Sequence, residues 1–194
     1  TVKESPDWMK KRLAAYGIKS INNVVDITNY VATELGMPLH AYDADKVADR
    51  HLIIRNAHQG ESLVLFGGKH VSFTEDDIIH ADATGPVGFG ALMGGEEKSV
   101  HPETTSIILE AAVYNQGSVR RSSRRHSIRT EASTRLEKFM HPYLVEIALK
   151  RARKLVEELT GGSLVDSTDA YPLKKKKKKV TLHISEVKRL CGVD

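Results

Sequence analysis

The feature that most limits the fold lies between residues 52 and 113, where short β-rich runs follow one another and glycines divide them. Leu52-Ile53-Ile54 comes first, then Leu63-Val64-Leu65-Phe66, which Gly67-Gly68 joins to His70-Val71-Ser72-Phe73 as a predicted hairpin. Ile78-Ile79 and Ser106 to Val113 continue the strand pattern, with a glycine-rich stretch from Gly85 to Gly95 between them. Strands gathered in the middle and helical patterns on either side predict an α+β fold, a mixed β-rich core flanked by helices.

The flanks carry the helix signals. Ser5-Pro6-Asp7 reads as an N-cap followed by proline at the first helical position, opening a helix through Ala15. Trp8, Met9, Leu13 and Tyr16 form its apolar stripe, and Gly17 stops it. A second helix is expected over Val25 to Leu35, closed by Gly36, with Val24, Ile27, Val31 and Leu35 at helical spacing. After the strands, Gln116 to Ser127 reads as a basic helix. Tyr143 to Leu159 reads as a strong one, with Leu144, Ile147, Ala148, Leu155 and Leu159 inward and Gly161-Gly162 at its end. The six lysines Lys174 to Lys179 read as a solvated linker, and Val180 to Gly192 reads as the opening strand and helix of another domain.

Composition narrows the class. With 194 residues, 40% hydrophobic and 28% charged, the chain can bury a genuine core. No apolar run approaches the length that spans a bilayer. One cysteine, Cys191, excludes an internal disulfide and a multi-cysteine zinc site, which fits a reducing, cytoplasmic setting. Thr1 is followed by no basic-then-apolar leader, so secretion is not expected. The net charge of +4 is smaller than the lysine run alone, so local clusters carry more information than the average.

Familiar catalytic signatures are missing. Gly88-x-Gly90 is followed by Met93 where a dinucleotide fingerprint needs glycine, and no Gly-Lys-Ser/Thr follows. The histidines lack metal-ligand spacing, and no serine sits in a Gly-x-Ser-x-Gly elbow. The informative residue is Glu110, set in the apolar run Ile107-Ile108-Leu109-Glu110-Ala111-Ala112-Val113. A buried, unpaired carboxylate costs several kcal/mol, so Glu110 must have a partner or face a cavity. A strand-end glutamate turned to solvent or paired with arginine is the structural alternative, and the pattern does not separate the two. His40, in Gly36-Met37-Pro38-Leu39-His40-Ala41-Tyr42-Asp43, lies in an extended segment; a lone histidine there is more often structural than catalytic. The cluster Arg120, Arg121, Arg124, Arg125 and Arg129 is denser than a solvated helix face needs, and few aromatics lie nearby to stack bases. Contact with an RNA backbone is therefore favoured over a plain charged surface.

Several blocks together resemble the B3/B4 region of the bacterial-type phenylalanyl-tRNA synthetase beta subunit. They are Ser20-Ile21-Asn22-Asn23-Val24-Val25-Asp26-Ile27-Thr28-Asn29-Tyr30-Val31, Pro38-Leu39-His40-Ala41-Tyr42-Asp43, Met93-Gly94-Gly95-Glu96, Leu109-Glu110-Ala111-Ala112 and Arg129-Thr130-Glu131-Ala132-Ser133-Thr134-Arg135-Leu136-Glu137. The resemblance implies residues 1–170 as the B3/B4 editing domain, 171–179 as a Lys-rich linker and 180–194 as the start of a B5-like domain. It implies hydrolysis of the aminoacyl ester of tyrosine mischarged on tRNA(Phe), with no cofactor of this domain's own, ATP and magnesium belonging to the synthetic site on the alpha subunit. The implied partners are tRNA(Phe) and that alpha subunit, in an assembly of two alpha and two beta chains. By motif position, Glu110 is similar to the acceptor for the tyrosine hydroxyl and His40 to the pocket histidine beside the ester. Pro38 and Asn29 match one wall, Gly94 the floor, and Thr130 and Ala132 further pocket positions. Gly90 and Ala91 fall near the floor too, with Ala91 standing where many members have glycine. A non-hydrolytic, tRNA-positioning module of the same subunit is the alternative reading.

Overall fold

The structure, a computed structural model, describes residues 1–172 and 179–192. Two compact units divide it, Thr1–Ser163 and Leu164–Asp194.

The first unit opens on α1 (Asp7–Ala15) and α2 (Asn23–Leu35). Pro6, not Ser5, is the N-cap of α1, and no side chain caps that end. The Ser5 hydroxyl is committed elsewhere: it donates to Asp26 Oδ2 at 2.5 Å, tying the entry of α1 to the first turn of α2. In α1 the buried pair is Met9 and Leu13, whereas Trp8 and Tyr16, expected in the same stripe, are 40% and 57% exposed. Nine residues make too narrow a helix contact for four large side chains. α2 begins two residues earlier than its apolar pattern suggests, because the Asn22 side chain accepts from the amides of Val24 and Val25. It ends at Gly36, whose φ of 79° suits a left-handed C-cap.

The strands follow: β1 (His40–Asp43), β2 (Ile53–Asn56), β3 (Ser62–Leu65), β4 (Lys69–Ser72), β5 (Ile78–Asp82), β6 (Gly85–Phe89), β7 (Met93–Gly94) and β8 (Ile107–Glu110). They form antiparallel sheets of order β2-β5-β6-β7, β3-β4 and β1-β8. The hairpin predicted at Gly67-Gly68 is β3-β4, with both glycines at positive φ. Leu65 bridges to Gly95, next to the end of β7, which ties the β3-β4 ribbon to the four-stranded sheet, and Tyr42 bridges to Ser99. The glycine-rich stretch holds two strands, and the last strand is shorter than Ser106 to Val113, because pairing with β1 stops at His40 opposite Glu110.

α3 (Gln116–Arg125), α4 (Glu131–Leu136) and α5 (Tyr143–Thr160) complete the unit. α4 is held by a capping box between Thr130 and Ser133. α5 lies along α2 and buries Ala148, Ala152 and Leu155; Ile147, expected inward, is 40% exposed. A bidentate pair from Arg151 to Glu34 fastens the same two helices. One core joins α1, α2 and α5 to the inner faces of the sheets, through Ile27, Val31, Met37, Leu65, Ile79 and Phe89. The mixed α+β class expected from the sequence is the observed one.

The second unit contains α6 (Ile184–Cys191), ended by Gly192 at a φ of 68°. Val180, expected in a strand, lies in none. Most of the linker expected at 171–179 lies outside the described residues, as do Val193 and Asp194.

Candidate functional site

The two polar residues that stood out in the sequence are placed together by strand register. His40 opens β1, Glu110 ends β8, and the two are direct cross-strand partners. Directly opposed residues of an antiparallel pair project from the same face with β carbons about 5 Å apart. Tyr42, two positions along β1, shares that face, and its ring packs edge-on to His40 with centroids 4.4 Å apart.

These side chains line a partly open pocket together with Pro38, Ala91, Gly94 and Ala132. Gly94 is required there: a β carbon at this position would lie 2.4 Å from Cε1 and 2.6 Å from Nε2 of His40. Met93, Leu92 and Leu136 supply apolar wall. Ala91 takes the left-handed conformation at a φ of 65°, an unusual setting for a residue with a β carbon.

Three residues expected in the lining, Asn29, Gly90 and Thr130, are not among the residues that line it. Asn29 is half-buried on α2, about 200° around the helix from Ile27, which points into the core. Gly90 backs the wall, where a β carbon would meet the Ile78 carbonyl at 2.9 Å and the Tyr114 ring at 3.2 Å. Thr130 is spent on structure, capping α4 and donating to the Leu92 carbonyl at 2.9 Å.

Two residues that the sequence reading passed over are central. His80 on β5 is buried, with Nδ1 against the Tyr42 hydroxyl at 2.5 Å and Nε2 against the Tyr114 hydroxyl at 2.6 Å. Tyr114 in turn donates to Glu110 Oε1 at 3.0 Å. Glu110 therefore has the partner that burial demands, and it is a phenol rather than an arginine. The signal for His80 was available: Ile78-Ile79-His80-Ala81 is an apolar strand broken by one polar residue, as at Glu110.

Burial sets the electrostatics. Desolvation pushes the Glu110 carboxyl above its ordinary range, partly offset by His40 and by the Tyr114 hydrogen bond. Desolvation lowers His40 to about 4, against the pull of Glu110, and lowers His80 to about 4. Both imidazoles are neutral near pH 7. Burial also raises the Tyr42 and Tyr114 hydroxyls well above the usual phenol value, and Glu110 adds to both shifts. Nε2 of His40 is buried and has no hydrogen-bond partner among the described residues. A buried donor or acceptor left unmade costs about 1–3 kcal/mol, a cost a ligand or water in the pocket would relieve.

The arginines divide. Arg120, Arg121 and Arg124 are exposed on α3. Arg125 is held by Asp77 at 3.0 Å, Asp76 at 3.1 Å and the Thr74 hydroxyl at 2.7 Å, and Arg129 reaches Glu137 at 3.4 Å. Among the described residues no three His, Cys, Asp or Glu side chains are grouped as metal ligands, and no helix is long and apolar enough to cross a membrane.

The sequence that builds this pocket matches a known family. The chain belongs to the B3/4 domain family, which it matches over residues 1–161. It is 39% identical over 98% of its length to the phenylalanine–tRNA ligase beta subunit of Dehalococcoides mccartyi, and 40% identical over 97% to that of Geobacter metallireducens. The same subunit of Thermotoga maritima is 35% identical over 99% of the chain. The chain spans 24% of the length of each of these relatives.

Proposed function

We propose that the chain is the proofreading part of a phenylalanine–tRNA ligase beta subunit, hydrolysing tyrosine wrongly esterified to tRNA(Phe). The observation that carries this reading is the direct register pairing of Glu110 with His40 in the lining of one pocket.

Tyrosine exceeds phenylalanine by one hydroxyl, and an apolar synthetic pocket rejects such an addition only by roughly 10²-fold. A second pocket can demand the hydroxyl instead. Glu110, held out of bulk water, accepts a hydrogen bond from the phenolic hydroxyl of tyrosine. Phenylalanine would leave that carboxylate facing a bare ring, and a missing partner of this kind is discriminated by several powers of ten.

Hydrolysis needs little beyond placement, since an aminoacyl ester is already activated. Water adds to the ester carbonyl, the bond to the ribose oxygen breaks, and that oxygen takes a proton, giving free tyrosine and uncharged tRNA. His40 at a pKa of about 4 is a weak proton acceptor, so its unpartnered Nε2 serves to hold the water or the ester in line. Arg120, Arg121 and Arg124 are the cations open to RNA phosphates. The residues need no cofactor for this step. ATP and magnesium would serve the synthetic site of the alpha subunit, in a cytoplasmic assembly of two alpha and two beta subunits.

The test is deacylation of Tyr-tRNA(Phe) by the whole ligase carrying Glu110→Ala. The expected outcome is loss of hydrolysis with tRNA charging retained. Hydrolysis at the unmodified rate removes Glu110 from its role.

A further inference from the structure

Tyr42, His80 and Tyr114 have no part in the ester chemistry just described, yet they form one unbroken line of hydrogen bonds to Glu110. The spacing is 2.5 Å from Tyr42 to His80 Nδ1, 2.6 Å from His80 Nε2 to Tyr114, and 3.0 Å from Tyr114 to Glu110 Oε1. The surrounding backbone is shaped to hold this line. Gly88 leaves room for its first member, since a β carbon there would stand 2.4 Å from the Tyr42 hydroxyl oxygen. The register of β5 with β6 shifts between His80 and Ala81, an irregularity of the kind that re-aims a side chain beside a site. The ring planes of His80 and Tyr114 lie only 22° from parallel with centroids 6.1 Å apart, so the two rings meet end to end across their hydrogen bond.

The order of protons follows from what each group can do. An ionised carboxylate only accepts, so Tyr114 must donate to Glu110. Its oxygen then accepts from His80, which places the imidazole hydrogen on Nε2. A neutral imidazole carrying its hydrogen there has only an acceptor at Nδ1, so Tyr42 donates to it. Each member has one arrangement available. Oε1 of Glu110 thereby has a donor, while Oε2 has no protein donor among the described residues and Glu110 lines the pocket.

We propose that Tyr42, His80 and Tyr114 are positioning residues for Glu110: they clamp Oε1 and leave Oε2 as the acceptor for the hydroxyl of the substrate. This rests on the reading of Glu110 as the hydroxyl acceptor. Two phenols would then sit side by side on one carboxylate, one supplied by the protein and one by the substrate. The protein's own phenol is the reason a tyrosine side chain finds its acceptor pre-aimed.

Two measurements test it. In the whole ligase, Tyr114→Phe removes the clamp and keeps the ring; KM for Tyr-tRNA(Phe) hydrolysis is expected to rise about tenfold while kcat changes less than threefold. His80→Gln, which keeps a donor and an acceptor, is expected to fall between Tyr114→Phe and the unmodified enzyme. In this chain alone, the 15N shifts of His80 at pH 7 are expected to show hydrogen on Nε2, and in Tyr114→Phe that preference is expected to be lost. An unchanged KM in Tyr114→Phe, alongside lost hydrolysis in Glu110→Ala, overturns the clamp and leaves the proposed function standing. Full hydrolysis by Glu110→Ala overturns the function, and the 15N arm still judges the proton order by itself. Hydrogen on Nδ1, or a charged His80, in the unmodified chain overturns the proposal.

Discussion

The imidazole of His40 rests directly on Gly94, at a separation that admits no β carbon between them. The contact joins the first residue of β1 to the last of β7, strands in different sheets.

Gly94→Ala should therefore act on the site before it acts on the fold. The added methyl would overlap Cε1 and Nε2, and the buried ring must turn away. A displacement near 1 Å costs roughly 10²-fold in a reaction that depends on alignment. Deacylation of Tyr-tRNA(Phe) should fall by about that factor while circular dichroism of the chain is unchanged. Undiminished deacylation would show that the position of His40 is immaterial.

Stability should depend on pH in a window that the two buried histidines define. Each has a folded pKa of about 4 against an ordinary value of 6.5, so the unfolded chain binds more protons between those limits. Stability from this source is complete above about 6.5 and is lost progressively as pH falls towards 4. Glu110 works in the opposite sense: with its folded pKa raised, it contributes less as pH rises through that value. Two protons outweigh one. Denaturant unfolding should show a lower free energy at pH 5 than at pH 7, and His80→Gln should flatten the slope. A steeper slope in that variant would contradict the assignment.

The arginine cluster should split in experiment as it does in space. Arg125 is bound to Asp77, which is fully buried and also takes hydrogen bonds from Ser122 and Thr74 and pairs with His126. Arg125→Ala should cost about 1.5–3 kcal/mol of unfolding free energy, the usual value of hydrogen bonds to a charged group. Arg124→Ala should stay within about 0.5 kcal/mol. Replacing Arg120, Arg121 and Arg124 together should weaken tRNA binding and make its salt slope shallower, by about one for each phosphate no longer neutralised. An unaltered slope would place the RNA elsewhere.

Ala91→Gly should stabilise the chain. An alanine in the left-handed region carries about 1 kcal/mol of strain, part of which a glycine returns as entropy of the unfolded state. A rise of a few degrees in Tm is expected, and a fall would mean that the methyl packs better than its backbone geometry implies.

The fold was legible in the sequence where one local signal sufficed. Asn22, Gly36 and Gly67-Gly68 mark a cap, a stop and a turn by chemistry confined to a few neighbours. α4 was missed because six residues carry too little periodicity, and its capping box uses serine where glutamate or glutamine is the usual partner. Ser5 misled because its hydroxyl answers to Asp26, twenty-one residues away, and not to its own helix. Within the site, Glu110 and His40 were visible as polar residues out of place or by resemblance. His80 was marked only as a polar residue in an apolar strand and Tyr114 not at all, since their roles lie in bonds across the sheets, and Thr130 matched a pocket motif while serving α4 and the Leu92 carbonyl.

The ribbon formed by β1 and β8 has a consequence for how the molecule matures. Every other strand of the unit lies between its two halves in the chain. Closing so wide a loop is entropically unrewarding until the intervening segments have collapsed and shortened it. Closure of the pocket that His40 and Glu110 line is thus a late event in folding, reached only when the rest of the unit is in place.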